Sequence, residues 1–171
     1  GCSMLMNAVC NNRVAVVRAL LAARARPDET DRFGVTPLMC AAGVGGDEVA
    51  RALVEAKAAV NARCNRGNTA LMTAALQGYN RTAAVLLDAR ASLEKRNKEG
   101  KTALMLAAAT SGGAVEALLG ARAQVDVVDM DGRTPLMWAA LCGNAGAIRA
   151  ILRAIGHSST GVPSQIGRAH V

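Results

Sequence analysis

The sequence predicts an all-α fold, a solenoid of stacked helix-turn-helix units joined by short hairpin loops. A motif Gly-x-Thr-(Pro or Ala)-Leu-Met-x-Ala-Ala recurs at Gly34–Ala42, Gly67–Ala75, Gly100–Ala108 and Gly132–Ala140, with a degenerate fifth copy at Gly1–Val9. The leading glycines step by 33, 33, 33 and 32 residues, a period that marks a stacked array. Hydrophobic residues make up 51% of the chain but aromatics only 2%. A core so poor in rings is built from Ala, Leu, Val and Met, which suits closely packed small helices better than a sheet sandwich.

Within each period the same plan recurs. A glycine permits the turn, a threonine (Thr36, Thr69, Thr102, Thr134) offers an N-cap hydroxyl, and Pro37 and Pro135 stand at the first helical position, where a missing N–H costs nothing. The helix that follows turns one apolar face inward through Leu38 and Ala41, Leu71 and Ala74, Leu104 and Ala107, Leu136 and Ala139. Glycines then break the chain at Gly45-Gly46, Gly78, Ser111–Gly113 and Gly143, and Asp47, Asn80 and Asn144 are natural caps for a second helix. Second helices are expected over 48–56, 81–89, 114–121 and 145–154, and over 14–23 in the first copy. Val49, Leu53, Leu86, Leu87, Leu118, Leu119, Ile148, Ile151 and Leu152 face inward. The 32-residue step fits a one-residue deletion at Ser111–Gly113. The stretches 26–33, 60–66, 93–99 and 125–131 carry Asp, Asn, Gly and Val in an order suited to turns and short hairpins.

The pattern resembles the ankyrin repeat, whose T-P-L-H-x-A signature reads here Thr36-Pro37-Leu38-Met39-Cys40-Ala41. The likeness covers 1–156, in units of about 1–30, 31–63, 64–96, 97–128 and 129–156. It implies an L-shaped hairpin-plus-helices geometry. Two departures are systematic. Methionine replaces the usual histidine (Met6, Met39, Met72, Met105, Met137), exchanging a hydrogen-bonding imidazole for volume and dispersion. A basic residue replaces the glycine that commonly ends the second helix (Arg24, Lys57, Arg90, Arg122). If that position is left-handed, as the family implies, the side chain costs on the order of 1 kcal/mol.

No catalytic constellation is present: there is no G-x-S-x-G elbow, no phosphate loop and no metal-spaced His or Cys set. Asp126, Asp129 and Asp131 could hold a cation, but acids are ordinary in hairpins of this family. No cofactor is expected. Five cysteines, without paired spacing, point to a reducing, intracellular compartment, cytoplasmic or nuclear. No apolar run approaches the roughly 18 residues of a membrane span.

The resemblance implies binding of a partner protein through hairpin tips and the concave inner-helix face. By register, the candidate contacts are Arg32, Phe33, Arg66, Asn68, Lys98, Lys101, Arg133 and Trp138. Aromatics and Arg dominate binding hot spots, which favours Phe33 and Trp138, although Trp138 could equally cap the packing of the stack. Tyr79, at an inter-helix turn, reads as structural. The net charge of +7 and pI near 9.7 suit a partner with an acidic surface. The expected function is a monomeric, non-catalytic protein–protein interaction scaffold. The alternatives are the substrate-recognition arm of a larger enzyme, a kinase or ubiquitin ligase, and a polyanion or nucleic-acid binder. The last helix pair ends without an evident polar cap, which leaves room for further repeats. Residues 157–171 read as a disordered tail, and Ile166–Val171 resembles a translated sequencing adapter and carries no functional weight.

Overall fold

Hydroxyl caps set the inner row of helices. In the computed structural model, which describes residues 3–110 and 113–159, Ser3, Thr36, Thr69, Thr102 and Thr134 accept from the amides of Met6, Met39, Met72, Met105 and Met137 at 3.2–3.5 Å. These caps open α1 (Met4–Cys10), α3 (Pro37–Val44), α5 (Ala70–Gln77), α7 (Ala103–Ala108) and α9 (Pro135–Leu141). The outer row is α2 (Val14–Ala22), α4 (Asp47–Glu55), α6 (Asn80–Asp88), α8 (Ala114–Gly120) and α10 (Ala145–Ser159). Each inner helix packs on its outer partner and on the next inner helix, and the outer helices form a second layer in the same order. The described residues hold ten helices and no strand, an all-α solenoid.

The core is the apolar face that the motif specifies. Leu38, Leu71 and Leu104 are buried, as are Ala41, Ala74, Ala107 and Ala139, while Val49, Leu53, Leu86, Leu118 and Ile151 seal the outer layer. The methionines in the histidine position are buried between repeats at Met6, Met39, Met72 and Met105, but Met137 is 51% exposed. Among the described residues α9 packs on α7, and no further inner helix packs on its other side. Leu152, expected inward, is likewise exposed, and Leu87, Leu119, Leu136 and Ile148 are half-buried.

Two of the three expected outer-helix caps are corrected. Asp47 and Asn80 are the first residues of α4 and α6, and the cap positions fall to Gly46 and Tyr79, which make no side-chain cap bond. Only Asn144 caps as expected, its Oδ1 accepting from the Ala147 amide at 3.0 Å. Its Nδ2 donates to the carbonyls of Ala108 and Thr110, tying α10 to the preceding unit. Helix α10 continues to Ser159, past the 156 boundary that the motif gave. The rest of the tail, 160–171, and the proposed deletion at Ser111 and Gly112 lie outside the described residues.

The breaks are backbone-specific. Gly45 sits at φ 70°, and a Cβ there would stand 2.9 Å from the Tyr79 ring, so the turn after α3 needs glycine twice over. Tyr79 is thus a packing residue. Arg24, Lys57, Arg90 and Arg122 all lie at φ 63–68°, so the basic residues that end the outer helices are in the left-handed region.

Candidate functional site

The hairpins between helix pairs are joined edge to edge. The Asn65 amide donates to the Phe33 carbonyl at 2.8 Å, Lys98 to Arg66 at 3.0 Å and Met130 to Glu99 at 3.1 Å. Each hairpin thereby presents its tip beside the next, in a single row. The row is closely fitted: a Cβ on Gly100, at φ 76°, would come within 2.9 Å of the Met130 amide nitrogen.

Two arginines bind the row from within. Arg63 donates from Nε to the Gly67 carbonyl at 3.2 Å and from Nη2 to the Arg96 carbonyl at 2.7 Å. Arg96 repeats this one unit on, from Nε to Gly100 at 3.0 Å and from Nη2 to Val128. Two of the twenty Lys and Arg side chains are therefore engaged in inter-repeat bonds. A second periodic set lies lower in the loops: Asp28 accepts from the Ala59 amide, Asn61 from Ser92 and Glu94 from Gln124, at 2.7–3.0 Å.

Inside each tip, the position three residues before the leading glycine organises the turn. The Oδ1 atoms of Asp31, Asn97 and Asp129 each accept from the amides two and four residues on, at 2.8–3.0 Å. In the second hairpin this position is Cys64, whose side chain makes no such bond.

The candidate residues fall into two groups, with Asn68 between them. Arg32, Phe33, Arg66 and Lys98 are exposed at the first three tips. The Arg32 guanidinium stands 4.7 Å from the Phe33 ring centroid, and Phe33 is 55% exposed. Among the described residues no acid lies within ion-pair distance of Arg32, Arg66 or Lys98. Asn68 sits between tips, its Oδ1 accepting from Asn97 Nδ2 at 3.0 Å.

Lys101, Arg133 and Trp138 instead form a closed cluster. Lys101 Nζ lies 4.3 Å from the indole centroid and Arg133 Cζ 5.3 Å. Glu99 pairs with Lys101 at 2.6 Å and Asp131 with Arg133 at 3.2 Å. Trp138 Nε1 donates to Asp129 Oδ2 at 2.8 Å. Burial alone would raise the Asp129 carboxyl. The Arg133 amide, the indole N–H, the Asp131 amide and the Arg133 charge outweigh it and hold the carboxyl below the usual carboxylate value. Both Asp129 oxygens are thus engaged by N–H groups, and among the described residues no group of His, Cys, Asp and Glu is arranged to hold a metal ion.

Sequence reasoning missed Arg63, Arg96 and Asp129 as the residues that position the row. The signal was present for two of them: an arginine stands four residues before the leading glycine in consecutive repeats. Among the described residues no helix is long and apolar enough to cross a membrane.

The family model of ankyrin repeats (3 copies) matches residues 5–97 and 85–160. No curated protein matches the chain.

Proposed function

The chain belongs to the ankyrin-repeat family, and from that premise we propose that it is a non-catalytic scaffold that binds a partner protein through its hairpin tips and concave inner-helix face. Ankyrin repeats are in general protein–protein interaction modules. The observation that carries the proposal is the row of tips fixed by cross-repeat bonds, whose outward side chains Arg32, Phe33, Arg66 and Lys98 take no part in the stack. A rigid row of this kind binds without a large ordering cost. Asn68, Lys101, Arg133 and Trp138 extend the surface onto the inner helices. The partner has an acidic surface, matching the net charge of +7. The scaffold is read as five repeats over 1–156, acting as a monomer in the cytoplasm or nucleus.

A photo-crosslinking amino acid placed at Phe33, and separately at the exposed Arg51 of α4, tests this in an extract of the source cells. A discrete adduct is expected from position 33 alone, reduced at least about tenfold by Arg66→Ala with Lys98→Ala, as for two hot-spot contacts. Equal adducts from both positions, or an adduct insensitive to the tip substitutions, would overturn the proposal.

A further inference from the structure

We infer that the first three tips form a docking strip for an extended acidic segment whose carboxylates recur at every third residue. The inference rests on the interaction reading above and adds the chemistry and spacing of what is bound. Its basis is the juxtaposition of Arg32, Arg66 and Lys98, exposed cations on successive hairpins with no acid in ion-pair distance among the described residues. The backbone bonds from Asn65 to Phe33 and from Lys98 to Arg66 fix their separation. Each hairpin contributes two chain passes, so the tips repeat every roughly 10 Å, and a segment in the extended polyproline II conformation, advancing about 3.1 Å per residue with three residues per turn, covers nearly that in three and returns every third side chain to the same face. The strip has a defined end. Beyond Lys98 the cations Lys101 and Arg133 are already neutralised by Glu99 and Asp131, and those acids repel a further carboxylate. At the other end Phe33, with Arg32 over its ring, offers an apolar contact beside the first carboxylate.

The test is an NMR titration of the isotope-labelled protein with two synthetic peptides of equal charge. One repeats Asp-Gly-Ser; the other gathers the same aspartates into one block. Shifts are expected at the amides of Asn65, Arg66 and Lys98 and not at the Trp138 indole. The spaced peptide is expected to bind at least about threefold more tightly, the loss of one or two exposed ion pairs. Arg32→Ala with Arg66→Ala removes that preference, and Arg51→Ala, at an exposed position on the outer helix α4, leaves it. Melting curves of the variants check that the stack is intact. Equal affinity of the two peptides, shifts centred on Trp138, or displacement by oligothymidylate more tightly than either peptide binds would overturn the strip. If the peptides fail while the crosslink at position 33 persists, the strip falls and the scaffold reading stands. If the crosslink fails as well, both fall.

Discussion

The second and fourth hairpins share one backbone frame and differ in what fills it. In each, the residue three before the leading glycine closes the turn by main-chain bonds: Cys64 N to Asn68 O and Gly67 N to Cys64 O, Asp129 N to Arg133 O and Gly132 N to Asp129 O, all at 2.8–3.2 Å. In the fourth, the Asp129 carboxylate also collects two amides and the Trp138 indole. In the second, the thiol side chain of Cys64 collects none. The repeat therefore fixes the path of the chain, and single side chains decide how tightly each turn is held. The fourth tip and its neighbours spend their charges on one another. The first three keep cations outward, which is where a partner can use them.

Asp129→Ala breaks this difference most severely. Asp129 is 5% exposed, and its loss strands two amides and an indole N–H, costing about 3 kcal/mol. A stack of this size should melt roughly 6–12 °C lower by calorimetry. The same carboxyl gives a pH signature. Its folded pKa is depressed, so its stabilisation is present above the unfolded value of about 3.9 and is lost as pH falls through the folded value. Asp129→Asn keeps an acceptor for the amides and removes this acid-side component. A variant whose melting temperature falls with pH as steeply as the wild type would show that other carboxylates dominate.

Cys64→Asn runs the comparison in the other direction. The asparagine oxygen should accept from the Arg66 and Asn68 amides, as Asn97 does from Glu99 and Lys101. The expected gain is about 1 kcal/mol, or roughly 2–4 °C in melting temperature. No gain would mean that the second tip is already held by its neighbours through Asn65, which donates to the Arg32 carbonyl at 3.3 Å.

What was legible in the sequence follows from the range of each interaction. The threonine caps act within three residues, so Thr36, Thr69, Thr102 and Thr134 could be assigned from the motif alone. The left-handed basic positions were legible through the family likeness, since the glycine they replace marks the conformation. Asp47 and Asn80 were misplaced because cap residues and first-turn residues share a composition, and a one-residue shift changes the role. Arg63 and Arg96 escaped because a surface charge and an inter-repeat staple look alike until the next hairpin is in place. Leu152 was taken as inward from helical spacing, yet among the described residues no element beyond α10 packs over its face. For the same reason Met137 is exposed, although the methionine at that position is buried in all four earlier copies.

One register position does not vary along the stack, and it offers the smallest test. Arg24, Lys57, Arg90 and Arg122 hold the same left-handed conformation, φ 63–68°, so the strain recurs in each of the first four units regardless of how its tip is filled. A non-glycine residue there costs about 1 kcal/mol, offset by a cation at the negative end of the helix worth about 0.3–1 kcal/mol. Replacing Arg90 by glycine removes both terms and also loosens the unfolded chain, which returns about 0.4–1 kcal/mol to that state. At low ionic strength the three contributions nearly cancel or favour arginine, and with the dipole contribution screened the remainder favours Arg90→Gly by up to about 0.6 kcal/mol, a rise of up to about a degree or two in melting temperature at high salt. The dipole term is screened by salt, so the rise should grow as ionic strength increases. A lower melting temperature at every salt concentration would mean that Arg90 stabilises the stack by a contact other than its charge.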